Sequence, residues 1–302
     1  MKRNHDPAEE LRNVPRAGFT IRDYAVAWRY FFHNVRVQDR ILLHHSFGRK
    51  RKAKLKVRAF MRVRRLRPVR LALPFLYPVG HLNAWRLFEY SKAILYLGAL
   101  RGETALEIGA SSGSFGPWLA RNGAVTVCVD LDENEIRSAA AGMTSAPRMN
   151  FAGSLHYVVA DARALPFKPD AFSRVASISA LEHVPENLDA ALAEIHRVTA
   201  AGGVCVVSLP FRAAGAPPRR LPYYTRFFTD ADLAVNVTNP LRMELTGLYK
   251  FGGKLTRSFY ARPFFSLLPV KDFFIGVVLH IIEQRRGCEE ANTVVLRFRK
   301  NG

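Results

Sequence analysis

Three acids and one histidine carry the chemistry that this chain of 302 residues suggests: Glu107, Asp130, Asp161 and His183. The first belongs to "ALEIGASSGSFGPWLA" (Ala105 to Ala120), an apolar run that breaks into a loop of small residues. Such loops commonly cradle a phosphate or nucleotide, so its ligand can be tested residue by residue. A phosphate loop needs G-x-x-x-x-G-K-[ST] so that a lysine reaches the phosphates, and no lysine follows Gly109 here. A dinucleotide fingerprint needs glycines where Ser111 and Ser114 stand. Glu107, two residues before Gly109, would repel a pyrophosphate but suit an ammonium or sulfonium group. The loop points to a small cationic ligand.

The elements that must position these residues alternate. Helices are expected over 85–97, from near Ser114, after Asp132 and over 186–199. Strands are expected over 104–108, 124–129, 155–159, 174–179 and 204–209, with later ones over 241–249 and 292–299. Alternating strands and helices imply an α/β fold, a mostly parallel sheet with helices on both faces. Ligands of such sheets bind beyond the C-terminal ends of the strands, where these motifs fall.

In this order and spacing the motifs resemble class I S-adenosylmethionine-dependent methyltransferases, in the small-molecule and lipid branch. "LEIGASSG" is similar to the family's acid-x-Gly-x-Gly-x-Gly motif through Glu107, Gly109 and Gly113, with Ser111 in place of the middle glycine. "VTVCVDLD" ends in Asp130, which the resemblance makes the acceptor for both ribose hydroxyls, with Leu131 beside it. "VVADARALPF" would place Asp161 at the adenine amino group and the Ala162 N–H at the ring. "SISALEHVPE" resembles the segment after the fourth strand and supplies Ser179 and His183. "RFFTDADL" (Arg226 to Leu233) resembles a helix start common in this branch. The resemblance covers roughly residues 85–240. It implies a seven-stranded Rossmann-like sheet, S-adenosyl-L-methionine as cofactor and no metal. His183 is the candidate catalytic residue, as a base near the transferred methyl; its alternative is a helix-start histidine bonded to backbone. Tyr223, Tyr224 and Arg226 are candidate substrate contacts.

Charge divides the chain. Net charge is +20, and residues 1–70 hold 20 Lys/Arg against 5 Asp/Glu. Residues 1–80 read as a basic, partly helical extension, and 81–302 as the methyltransferase domain with an apolar insertion at about 253–288. In the extension, Thr20 to Val35 has an amphipathic period, opened by Thr20 and Asp23 in the manner of a capping box. Arg49 to Arg70 holds twelve basic residues in twenty-two and no acid. The insertion contains "RPFFSLLPVKDFFIGVVLHIIEQRR" (262–286), which reads as a lid over the substrate, as an element lying in a membrane interface, or as an ordinary core helix pair beside a solvated basic tail. An anionic membrane surface is therefore one expected partner, through 49–70 and 262–286. Nucleic acid is less favoured, because 49–70 has a single aromatic, Phe60, on which to stack bases.

Cys128, Cys205 and Cys288 lack metal-ligand spacing, and no apolar leader opens the chain. A cytoplasmic protein, peripheral on the membrane at most, is expected. The expected function is methyl transfer to a small or lipid-linked acceptor. The alternatives are an RNA methyltransferase using the basic arm, and a cofactor-binding, membrane-docking module without turnover.

Overall fold

Short runs of Val, Ile, Leu and Ala, bounded by Gly, Asp or Pro, form the strands of a single seven-stranded sheet in this computed structural model. The structure describes residues 11, 14, 18–44, 84–144, 149–213, 215, 225–252, 269–285 and 291–302. The strands are β1 (Thr104–Ile108), β2 (Val125–Asp130), β3 (Ser154–Val159), β4 (Phe172–Ile178), β5 (Thr199–Pro210), β6 (Glu244–Phe251) and β7 (Thr293–Arg299). Their order is β3-β2-β1-β4-β5-β7-β6. β1 to β5 pair in parallel, and β7 runs antiparallel to both β5 and β6. The order reverses between β1 and β4, which opens a crevice beyond their C-terminal ends.

Side-chain alternation along the strands supplies two cores. Leu106, Ile108, Val175, Cys205, Val207 and Leu209 face α5 (Leu188–Val198), which brings Leu188, Leu192 and Ile195 to the same cluster. Next to α5 lie α6 (Asp230–Leu233), a π turn (Ala234–Thr238) and α7 (Asn239–Leu241). Thr229 and Asp232 close a complete capping box at the start of α6, satisfying two backbone donors there. Ala105, Ala176, Ile178, Val204 and Val206 face the other way. They meet α1 (Ile21–His44), α2 (Ala84–Leu97) and α3 (Phe115–Arg121) through Phe31, Phe88 and Phe115. The last helices are α4 (Glu133–Thr144), beside β2 and β3, and α8 (Pro269–Arg285), beside α2.

The amphipathic helix starts where expected and runs further, to His44 rather than Val35. Asp23 accepts from the backbone N–H of Thr20 at 2.8 Å and from its hydroxyl at 2.6 Å. Its other oxygen pairs with buried Lys92 of α2 at 2.7 Å. The helix thus shares the core of the sheet. The basic run 49–70, the linker after it and the stretch 253–268 lie outside the described residues.

Candidate cofactor site

The crevice holds a cavity of about 440 Å³, within the range of small-molecule sites. Its walls come from the ends of β1 and β2 and from the segments that follow β1, β2, β3 and β4. Of the residues singled out in the sequence, Gly109, Ser111, Asp130, Leu131, Asp161, Ala162, Ser179 and His183 all line it. Glu107 and Gly113 do not.

Glu107 overturns part of the electrostatic reading of the loop. Its carboxyl is buried behind the loop rather than facing the cavity, accepting from the backbone of Gly116 and, at 3.4 Å, from Cys128 Sγ. Burial pushes it up to about 8, so near neutrality it is largely uncharged. It fastens β1 to the first turn of α3 and presents no anion to a ligand. A methyl group at Gly116 would meet Cys128 Sγ and Glu107, which explains the small residue there. Gly109 has φ +74, and an added Cβ would lie 2.2 Å from Ala180 Cβ, so the chain passes close to β4's exit with no room for a side chain.

Ser111 adopts φ 47, the left-handed region where glycine is easiest. Its hydroxyl donates to Glu135 at 3.1 Å, and the N–H of Ser112 donates to the same carboxylate at 3.1 Å. The side chain is thus turned toward α4. Its N–H donates to Asp130 Oδ2 at 2.7 Å, while the N–H of Asp132 donates to Oδ1 at 3.0 Å. A carboxylate has about four lone-pair positions. Two remain on Asp130, one on each oxygen, matching a pair of vicinal hydroxyls. The donor set fits the ribose of an adenosyl group.

Asp161 is different. The guanidinium of Arg163 forks onto both its oxygens, with Nη2 to Oδ2 at 2.7 Å and Nε to Oδ1 at 3.0 Å, and the N–H of Arg163 adds a further bond at 2.9 Å. These hydrogen bonds hold the carboxyl below the usual carboxylate range. An exocyclic amino group can bond here once Arg163 yields one of them. Arg163 itself lines the cavity, offering a planar cation beside the aromatic ring that Asp161 would receive.

Past β4 the chain makes a 3₁₀ turn, Leu181–His183. His183 reaches the cavity with Nδ1 3.5 Å from Thr225 Oγ1 and Nε2 4.0 Å from Glu182 Oε1. Glu182 is buried, and its Oε2 has no hydrogen-bond partner among the described residues. Burial, reinforced by the charge of Glu89, pushes it up to about 8. The N–H of Arg226 donates to the Glu182 carbonyl at 3.0 Å, so the segment after Thr225 does border His183. Tyr223 and Tyr224 lie outside the described residues.

Sequence reasoning missed three groups. Glu89 of α2 is buried and accepts from Ser179 Oγ at 2.7 Å and Arg86 at 2.8 Å, joining the helix to the end of β4. Glu182 and Arg163 complete the set. The one available signal was position: Glu89 follows Phe88 in a helix whose other residues are mostly apolar, three residues after Arg86. The lid reading of the insertion finds no support in its described part, 269–285. No residue of α8 lines the cavity, because the helix packs against α2 on the far side of that core.

A family model described as a methyltransferase domain matches residues 106–207. A relative from Mycobacterium marinum (strain ATCC BAA-535 / M), itself described as an uncharacterized methyltransferase, is 34% identical over 110 residues. That alignment spans 36% of this chain and 40% of the relative, so the chain covers less than half the length of the curated protein it matches. Among solved structures, the (4+2)-cyclase SpnF superposes with a TM-score of 0.51 at 18% identity, over 75% of this chain and 86% of that one. The complex between the Haloferax volcanii Trm112 methyltransferase activator and a putative methyltransferase gives 0.51 at 15% identity, over 72% and 91%. These two likenesses are likenesses of fold.

Proposed function

We propose that residues 106–207, which match a methyltransferase-domain model, form a class I S-adenosylmethionine-dependent methyltransferase domain, and that the chain transfers a methyl group to a small or lipid-linked acceptor. The observation that carries the cofactor's place is Asp130, with one acceptor position left on each oxygen at the mouth of the cavity. S-adenosylmethionine supplies, when bound, a methyl group on a positively charged sulfur. Asp130 would take the two ribose hydroxyls, the Asp161–Arg163 pair and Ala162 the adenine, and Gly109 the close passage of the backbone.

The protein's remaining work is alignment and exclusion of water, since an in-line displacement gains most from holding its reactants in place. His183 stands at the cavity wall beside Thr225, placed to accept a proton from an acceptor hydroxyl or amine. Glu182 lies 4.0 Å behind it, and a carboxyl held near 8 ionises readily once positive charge develops on that imidazole.

Titration calorimetry with S-adenosylmethionine tests the cofactor assignment. Asp130→Ala removes both remaining acceptor positions, and affinity should drop by about two to four kcal/mol, or some 30-fold to 1000-fold. Binding of undiminished strength in that variant would sink the assignment.

A further inference from the structure

We infer that the outer side of the α1–α8 helix pair is a docking surface for an anionic lipid bilayer. On α8 four large apolar side chains stay partly exposed: Phe274 is 57% exposed, Val278 55%, Ile281 38% and Ile282 36%. Their spacing of four, three and one places them on one side of the helix. The opposite side carries buried His280, bonded to Tyr249 at 2.7 Å, and buried Glu283. The inner side of α8 is thus buried through polar groups, and the apolar residues of the outer side stay largely exposed.

α1 lies alongside it. Tyr24 meets His280 with ring centroids 6.0 Å apart, and Trp28 meets Phe274 at 5.6 Å, so the two helices run antiparallel. That register sets Ile21, 88% exposed, toward the Ile281 end of α8. On α1 the exposed residues Arg22, Arg29 and Arg36 recur every seventh position, a row of cations on its outward side. Arg285 is exposed at the end of α8. An apolar ridge thus runs beside a row of cations on one side of the molecule.

The charge identifies the occupant. A chain of net charge +20 repels a second copy of itself, which disfavours a self-association surface. Nucleic acid would match the cations but leave the four apolar side chains against phosphates. An anionic bilayer satisfies both, with lipid headgroups at the arginines and acyl chains at the ridge. The twelve basic residues of 49–70 lie in the same chain and add to the attraction. α8 has 17 residues, and no helix among the described residues is long and apolar enough to cross a membrane, so this contact lies on the bilayer.

Cosedimentation of the full chain with phosphatidylcholine vesicles, with and without phosphatidylserine, tests this without reference to methyl transfer. The protein should pellet with the anionic vesicles, and binding should weaken as salt rises from about 0.1 to 0.5 M. Phe274→Ser with Val278→Ser should weaken it roughly tenfold or more. Arg22→Gln, Arg29→Gln and Arg36→Gln together should weaken it and flatten its salt dependence. An unchanged thermal midpoint and unchanged S-adenosylmethionine affinity in the serine variant would show that its fold is kept. Equal pelleting of wild type and serine variant would overturn the proposal. So would absence of vesicle binding accompanied by tight RNA binding, or by a dimer in light scattering that the serine variant abolishes.

Discussion

Gly109 shows how little freedom the loop has. Its φ is +74, and any Cβ there would press on Ala180 where β4 ends, one residue beyond Ser179. Gly109→Ala combines left-handed strain with overpacking and should destabilise the protein by about 2–4 kcal/mol. Urea unfolding of the variant measures it; a loss below about 0.5 kcal/mol would mean that β1 and β4 can part freely there. The other loop residues show what could be read from spacing and what could not. Gly109, Asp130, Asp161 and His183 were marked by motifs that resemble the methyltransferase family's and fall at the ends of expected strands, and all four line the cavity. The direction of the Glu107 carboxyl was not readable, because a strand end has two sides and the sequence does not say which one faces ligand. Nor was the fork of Arg163 onto Asp161, which satisfies locally an acid expected to serve a ligand.

The elements bear on the site through α1. Tyr30 donates to Ser114 Oγ at 2.8 Å, Ser114 donates to Asn34 at 2.6 Å, and His33 Nε2 donates to the Ser114 carbonyl at 3.0 Å. Gln38 Nε2 donates to the Ser112 carbonyl at 3.0 Å. One helix therefore holds the far end of the cofactor loop from about 80 positions away in sequence, as the Ser114–Asn34 separation of 80 records. Periodicity predicted the helix and its buried aromatic side, but hydrogen bonds of such long range leave no local pattern. The helix is fastened to α2 by the buried pair Asp23–Lys92. Lys92→Met leaves an unpaired buried carboxylate and should cost about 3–5 kcal/mol, whereas adding Asp23→Asn should recover part of it. Denaturant unfolding of the two single variants and the double variant checks this; additive losses would show that the pair is not coupled. Strand boundaries were read more closely, β1 at Thr104–Ile108 in full, since apolar runs between glycines and acids mark them directly.

For the molecule as a whole, four buried groups set how stability changes with pH. Glu107 and Glu182 are raised to about 8, so between the ordinary carboxylate value and 8 the folded state keeps protons that the unfolded chain has released. Their contribution falls as pH rises through that window. Burial lowers His33 and His280 to about 4, so the unfolded chain binds more protons between 4 and 6.5, and their contribution is lost as pH falls through that range. The two effects oppose each other below 6.5, and only the carboxyls act above it. Thermal midpoints should therefore fall from pH 6.5 to 8, and Glu107→Gln, which keeps a neutral side chain, should reduce the slope. A midpoint that rises over this range would contradict the burial of both acids. The basic character of the chain did not reveal which surface it serves, because charge has sign but no direction until α1 and α8 are set side by side.

Methyl transfer itself is tested most directly by incubating the protein with S-adenosylmethionine labelled in the methyl group and a fractionated cell extract. Wild type should move label into the lipid or small-molecule fraction, Asp130→Ala should not, and His183→Ala should bind the cofactor while transferring slowly. Cofactor that binds tightly while label reaches no fraction, or label that appears only in nucleic acid, would contradict the proposed function.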